Sequence, residues 1–244
     1  MNTALIKPIT IKGIEYEGSE LRKGALKGKN LDNVDFSGMD LWGVSFIGAS
    51  LVHCNFTGCD LQEANFENAD ASHAVFKYAK CVQTHFENTN LTSATLDFSD
   101  FYEACFLDAN FTRASLVGAN VEKAWIKRTN FNYAWLIGVQ LAKATLDTDE
   151  IEGSCITEIL TLKGANLTGT NLSGLDFQGS DLSGLLMKDC DLSNANLVGA
   201  NLAGSDLTGA NLADANLTGA CLVGTNTTDA NLSGTVKHNT CSTE

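Results

Sequence analysis

The chain has 244 residues, a formal net charge of −13, 44% hydrophobic residues and one proline. The acidic balance argues against a phosphate-binding surface, so no direct nucleic-acid binding is expected. No apolar run approaches the ~20 residues of a membrane span, and the opening MNTALIKPIT lacks a secretory apolar region, so a cytoplasmic location is the default expectation.

Residues 1–20 read as a capping segment in which Ile9, Ile11 and Tyr16 alternate as in a strand, with Lys7, Pro8 and Lys12 discouraging edge pairing. A first repeat block, 21–146, follows. From Leu21 to Leu146 the inward place recurs at every fifth position for 26 places without slippage. Between Leu31 and Phe86 its occupants largely alternate between Leu and Phe, with Ala71 and Cys81 as the small exceptions. Residues 147–161 break the register, because Leu146 to Leu162 spans sixteen residues rather than fifteen. One added residue near Thr157–Thr161 would make a bulge. The alternative is a protruding loop or short helix, since Asp147, Asp149, Glu150, Glu152 and Glu158 make this the most acidic stretch. A second block, 162–236, contains fourteen regular units of five between Ala165 and Gly234. Residues 237–244 are polar and expected to fray. The whole reads as one continuous domain.

A period of five suits neither regular element. On a helix each step of five is about 140° net, which scatters the leucines around the cylinder. On a straight strand an odd step puts successive leucines on opposite faces. The pattern works when each unit runs in, out, in over three residues and then turns a corner. Glycine at the fifth place fits a corner that needs positive φ.

Units such as ANLTG, ANLAG and SDLTG resemble the pentapeptide-repeat family, whose repeats approximate A-(D/N)-L-x-x, and the resemblance covers about nine tenths of the chain. It implies an all-β fold: a right-handed quadrilateral β-helix with four pentapeptides per coil, here about ten coils and about 50 Å long. Residues twenty apart would then stack. Phe46, Phe66, Phe86 and Phe106 would form one interior column, with Phe36, Phe56 and Phe76 on the opposite wall. A family fold does not itself name an activity.

The eight cysteines include no CxxC pair and no Cys/His cluster at zinc spacing. Cys54, Cys59 and Cys190 occupy the small inward place and Cys81 a large one, Cys105 and Cys221 replace Asn/Asp, and Cys155 and Cys241 lie outside the repeat. Buried thiols acting as small apolar groups account for the inward ones. No cofactor is implied. His53 and His73 should stack and could share a metal, but no carboxylate constellation accompanies them.

Function must lie on outward residues. Charge falls in blocks: residues 31–112 carry −10 and residues 144–244 another −10, whereas residues 113–143 carry +4. In that basic block Arg113, Lys123, Lys127, Arg128 and Lys143 sit among Trp125, Tyr133 and Trp135, and both tryptophans replace the usual Asn/Asp. Exposed Trp and Arg are common interaction anchors. Arg113 is expected beneath Tyr133, in reach of a cation–π contact. These residues are the candidate partner site, although they could simply pack along the wall, with bases paired to acids such as Glu103 below Lys123. The two tryptophans are two units apart and belong on opposite walls.

The chain therefore reads as a non-enzymatic scaffold or regulator that binds a protein partner. Dimerisation through the polar C-terminus is not expected. The alternative implied by the resemblance is a DNA-mimicking modulator of a type II topoisomerase; a metal-binding protein or enzyme is a weaker one. In the second block, however, Asp at the second place never stacks on Asp, as spacing against like-charge repulsion alone demands.

Overall fold

The computed structural model of the protein describes residues 8–126, 128–139, 162 and 164–241, together with the backbone of 145–146. Its organising contact joins residues twenty apart. Asn30 forms a parallel bridge with Ser50, Asp35 with Asn55, Asp40 with Asp60 and Ser45 with Asn65, and the series continues to Ser115 and Trp135. Four five-residue units therefore complete one coil, and each outward residue belongs to one of four walls.

One unit shows why the sequence turns as it does. The Leu31 N–H donates to the Ser50 carbonyl at 2.8 Å in the next coil, and the Ser50 N–H donates back to Lys29 at 2.9 Å. The Val34 N–H donates to Leu31 O at 3.0 Å, closing a turn whose third residue, Asn33, has φ of 61°. A positive φ at that place is the mark of a type II turn. The consensus Asn/Asp shapes the same corner from its side chain. Asp35 Oδ1 accepts the Ser37 N–H at 2.9 Å, and Asp191 Oδ1 accepts the Ser193 N–H at 3.0 Å. This side-chain turn fixes the chain as it leaves the wall.

The large inward residues fill the interior. Phe46, Phe66 and Phe86 stack with centroids 4.8 and 4.9 Å apart, and Phe106 continues the column at 5.4 Å. Phe36, Phe56 and Phe76 form the facing column at 5.0 and 4.8 Å. The two columns meet edge to face, for example Phe56 against Phe66 at 5.6 Å. At the small inward place a hydroxyl or thiol reaches the coil before it. Thr89 Oγ1 donates to Phe66 O at 2.8 Å and Cys59 Sγ to Phe36 O at 2.9 Å. These polar groups are buried but satisfied.

The N-terminal segment forms a hairpin and a helix. Strand β1 (Ile9–Ile11) pairs antiparallel with β2 (Ile14–Tyr16) across Lys12 and Gly13, whose φ values are 48° and 79°. Helix α1 (Gly18–Arg22) carries a capping box between Glu17 and Glu20, with the Glu17 N–H bonded to Glu20 Oε2 at 2.9 Å. Leu21 and Leu26 are buried in phase with the repeat, but Leu21 lies on α1 and bridging begins only at Asn30. The capping box accounts for the later start, because it commits residues 17–22 to a helix. Lys12 Nζ ties the hairpin to the first coil, donating to the carbonyl and side-chain oxygens of Asn30 at 3.0 Å each.

At the junction, strand β3 (Trp125–Ile126) pairs in parallel with β4 (Thr145–Leu146), still twenty residues on. Trp135 instead bridges Asn166, thirty-one residues on, and Asn171 N–H donates to Val139 O at 3.1 Å. The second block thus stacks directly on the first. The offset is eleven residues more than the twenty of a regular coil. The acidic residues expected in a bulge or loop at 147–161 lie outside the described residues. A cavity of about 20 Å³ remains here, lined by Leu116, Val121, Phe131, Leu136, Val139 and Leu167 among others.

Residues 237–241 of the polar tail continue the ladder: Gly219 N–H donates to His238 O at 2.7 Å, and Cys241 bridges Cys221. Backbone pairing asks nothing of the side chains, so a polar segment can join it. Leu222 and Leu232 in these last coils are only partly buried. Among the described residues, no helix is long and apolar enough to cross a membrane.

Candidate functional site

Each five-residue unit presents the centre of a wall and the corner that follows it. The corners adopt positive φ, which costs about 1–2 kcal/mol for a residue with a Cβ. Gly escapes that cost, and Asn and Asp tolerate it. Among the described residues of the second block, the corners hold only Gly, Asn and Asp. In the first block Gly, Asn and Asp share the corners with larger residues, among them His53, Glu63, Tyr78, Phe98, Glu103, Arg113, Lys123, Arg128 and Tyr133, all with φ between 50° and 61°. The first block therefore accepts local strain to present large side chains, a pattern that points to use of the surface.

The predicted residues divide between two opposite walls. Trp125, 59% exposed, projects from one wall. Lys123 occupies the corner before it and Arg128 the corner after it. Trp135, 57% exposed, projects from the opposite wall, with Tyr133 on the adjoining corner and Arg113 one coil earlier on that corner. Lys127 and Lys143 lie outside the described residues.

Arg128 and Lys123 are held by partners. Arg128 grips Asp108 through two hydrogen bonds, Nε to Oδ1 at 2.7 Å and Nη2 to Oδ2 at 2.6 Å. Lys123 lies 4.8 Å above the Tyr102 ring, bonds its hydroxyl and reaches Glu103 at 3.5 Å. Hydrogen bonding to Tyr102 raises the Lys123 pKa, and the Gln83 amide lowers that of Glu103. The expected contact between Arg113 and Tyr133 is not formed. The Tyr133 ring leans toward the following coil, over Gly164, where an added Cβ would come within 2.8 Å of it. Glycine at 164 gives the ring its seat, and the ring takes it instead of the guanidinium below.

The sequence reading missed three arrangements. Tyr78 and Phe98, both exposed, stack at 5.6 Å on one corner, and the Phe98 ring lies over Gly118. Asp97 gathers Lys77 at 3.3 Å, the Ser115 hydroxyl and the Val117 N–H. On the Trp125 wall, one coil earlier, Glu63, Gln83, His85, Glu87, Glu103 and Cys105 line an open trough of about 540 Å³. Reading the corner column Glu63, Gln83, Glu103, Lys123 at twenty-residue steps would have revealed one rim of it.

His53 and His73 stack at 4.8 Å. Among the described residues, no three His, Cys, Asp or Glu side chains are placed to hold a metal ion. Burial raises the Cys54 and Cys59 thiols to about 11 and Cys190 to about 12. They are poor nucleophiles in these places. In the second block the stacked Asn/Asp columns are stitched: Asn196 Nδ2 donates to Asp176 at 2.8 Å and Asn211 Nδ2 to Asp191 at 3.0 Å.

Comparison with known proteins places this architecture. No curated protein matches the sequence. Among solved structures, HetL, a pentapeptide repeat protein involved in heterocyst differentiation regulation from Nostoc sp. strain PCC 7120, is 21% identical over 86% of this chain and 87% of its own, with a TM-score of 0.42. QnrB1, a plasmid-mediated fluoroquinolone resistance protein, is 16% identical over 88% of this chain and 89% of its own, with a TM-score of 0.39. The Nostoc PCC 7120 pentapeptide repeat protein alr5209 is 44% identical over 29% of this chain and 59% of its own, with a TM-score of 0.29. The profile of pentapeptide repeats matches in eight copies, over residues 30–68, 72–106, 100–132, 161–184, 190–228 and 210–236. That is well over half of the chain, which therefore belongs to the pentapeptide-repeat family.

Proposed function

We propose that this is a cytoplasmic, non-enzymatic scaffold or regulator, a right-handed quadrilateral β-helix of about ten coils that binds a protein partner on the outer walls of its first block. The observation that carries the reading is the contrast at the corners. Where the second block uses residues that suit positive φ, the first block places Tyr, Phe, Arg, Lys, His and Glu there and adds exposed Trp125 and Trp135 on its walls. A purely structural solenoid has no use for that cost. Arg128 and Lys123, being paired within the wall, act to shape the surface around Trp125 rather than as free charges.

The test is affinity capture from native lysate with the wild-type protein, with Trp125→Ala and with Trp135→Ala. Loss of the same captured protein in one tryptophan variant, with the other unaffected, supports the reading and names the wall. Unchanged capture in both discards the tryptophans as anchors. The DNA-mimic reading is disfavoured by the second block, where each stacked column holds a single aspartate and the Asn in the following coil donates to it. A gyrase supercoiling assay decides it: inhibition or quinolone protection by the purified protein would displace the scaffold reading.

A further inference from the structure

Two of the free cysteines meet on one wall of the second block. Cys221 and Cys241 stand at wall centres in successive coils and form a parallel bridge, so their side chains leave the wall side by side. The register is held from both directions: Cys241 N–H donates to Ala220 O at 3.0 Å, and Leu222 N–H donates to Cys241 O at 2.7 Å. The sequence reading placed Cys241 outside the repeat, whereas the ladder brings it onto Cys221. Neighbouring strands lie about 4.8 Å apart, within the separation of about 4.4–6.8 Å between Cα atoms that a disulfide spans.

The surroundings single this pair out among the described cysteines. Cys54, Cys59, Cys81 and Cys190 are buried, and Cys105 has His85 and Trp125 as its stacked neighbours. Cys241 is exposed and Cys221 half-buried, so both are open to a small reagent. At this place in the unit the consensus Asn or Asp accepts the N–H two residues on, and the Cys221 sulfur takes that part. The Cys241 thiol and the Val223 N–H both donate to it and lower its pKa, while the shared bond raises that of Cys241. A thiolate stabilised by donors is the attacking form, and an adjacent thiol is what resolves its oxidised product.

We propose that Cys221 and Cys241 are an oxidation site for hydroperoxides, closing to an intramolecular disulfide that fastens the coil ending at Cys241 to the one before it. The Cys221 thiolate attacks the peroxide oxygen; the S–O bond forms, the O–O bond breaks, and the leaving oxygen takes a proton as alcohol or water. Cys241 then attacks the Cys221 sulfur of this sulfenic acid; the S–S bond forms, the S–O bond breaks, and hydroxide leaves as water with the Cys241 proton. Two thiols are oxidised and one peroxide is reduced. Leu222 and Leu232 in this coil are only partly buried, so it has little interior packing and gains a covalent tie.

The full-length protein is treated with equimolar hydrogen peroxide at neutral pH, blocked with N-ethylmaleimide, unfolded and cut with trypsin without reductant. Lys237 separates the two cysteines, so the link joins peptide 189–237 to peptide 238–244. The joined peptides are expected from monomeric protein, to be released by dithiothreitol, and to be absent from Cys221→Ser, which excludes Cys190 as the partner. Their formation should be at least about tenfold slower in urea, where the fold no longer holds the thiols together. Cys241→Ser, lacking the second thiol, should stop at the sulfenic acid, captured at residue 221 by dimedone. Full N-ethylmaleimide blocking of both cysteines after peroxide, a link only between two copies, or an equal rate in urea overturns the proposal. So does a stronger dimedone adduct on Cys241 in Cys221→Ser than on Cys221 in Cys241→Ser.

Discussion

Phe66 and Phe98 offer a paired test of how the fold divides its residues. Phe66 is fully buried, stacked on Phe46 at 4.8 Å and Phe86 at 4.9 Å, and edge-on to Phe56 and Phe76 at 5.6 Å each. Replacing it with alanine removes the transfer free energy and leaves a cavity in a rigid stack, for a cost of about 3–5 kcal/mol. Four aromatic pairs, each worth ~0.5–1.5 kcal/mol beyond burial, push the loss toward the upper half of that range. Phe98 sits on a corner with φ of 57°, 52% exposed, contacting Tyr78 and lying over Gly118. Phe98→Gly forfeits that stacking but relieves about 1 kcal/mol of backbone strain, so the net change should stay within about 1 kcal/mol of zero. Urea denaturation followed by far-UV circular dichroism measures both. A Phe66→Ala loss below about 1.5 kcal/mol, or equal losses in the two variants, would refute the division into interior column and exposed corner.

The remaining predictions concern hydrogen bonds, corners and thiols. Thr89→Val keeps the shape but removes the bond to Phe66 O, and should cost about 1 kcal/mol in the same assay. Gly209→Ala should lower Tm more than Gly174→Ala, because both have φ of 69° but only at 209 would the added Cβ meet a neighbour, Asp189 Oδ1 at 2.3 Å. Treatment with a thiol reagent should modify exposed Cys241, and Cys221, whose thiol a hydrogen bond with Cys241 lowers, before Cys105, whose thiol burial pushes up to about 11, whereas buried Cys54, Cys59, Cys81 and Cys190 should react only on unfolding. Burial raises Cys54 and Cys59 from 9.0 to about 11, so their contribution to stability is full below pH 9.0 and is lost as pH rises toward about 11. Chemical denaturation across that range should show the decline in the wild-type protein and a smaller one in a Cys54→Ala, Cys59→Ala double variant.

Much of the fold was legible because a solenoid repeats its instructions. One in–out–in unit predicts the next, so the Phe columns follow from counting by twenty once the number of units per coil is known. The start of the first coil was not legible from phase alone: Leu21 keeps the five-residue spacing, but the Glu17–Glu20 capping box claims it for α1. The offset at the junction was not legible for a different reason. Counting leucines measures phase along the chain, whereas Trp135 and Asn166 are joined by a bridge that skips residues, and two whole units plus one leave nearly the same phase as one alone. At the candidate site, the separation of Trp125 and Trp135 onto opposite walls was readable. The direction in which a corner side chain leans was not. Tyr133 turns to Gly164 and Arg128 back to Asp108, choices set by the partner available in the neighbouring coil. The role of the consensus Asn/Asp in fixing each turn was not read from the repeat, although a short side chain with an acceptor oxygen is what can reach the N–H two residues on.

The central claim is that partner contact belongs to the outer walls of the first block and not to those of the second, and the Trp125 wall is the place to test it. It is tested most directly by placing a photoreactive benzoylphenylalanine at Leu107, on the corner beside that wall, or at Thr218, the corresponding corner of the second block, and irradiating each protein in native lysate. The account predicts a discrete crosslinked partner from position 107, lost with Trp125→Ala, and none from 218. The same crosslink from both positions, or a crosslink from 218 alone, would contradict it.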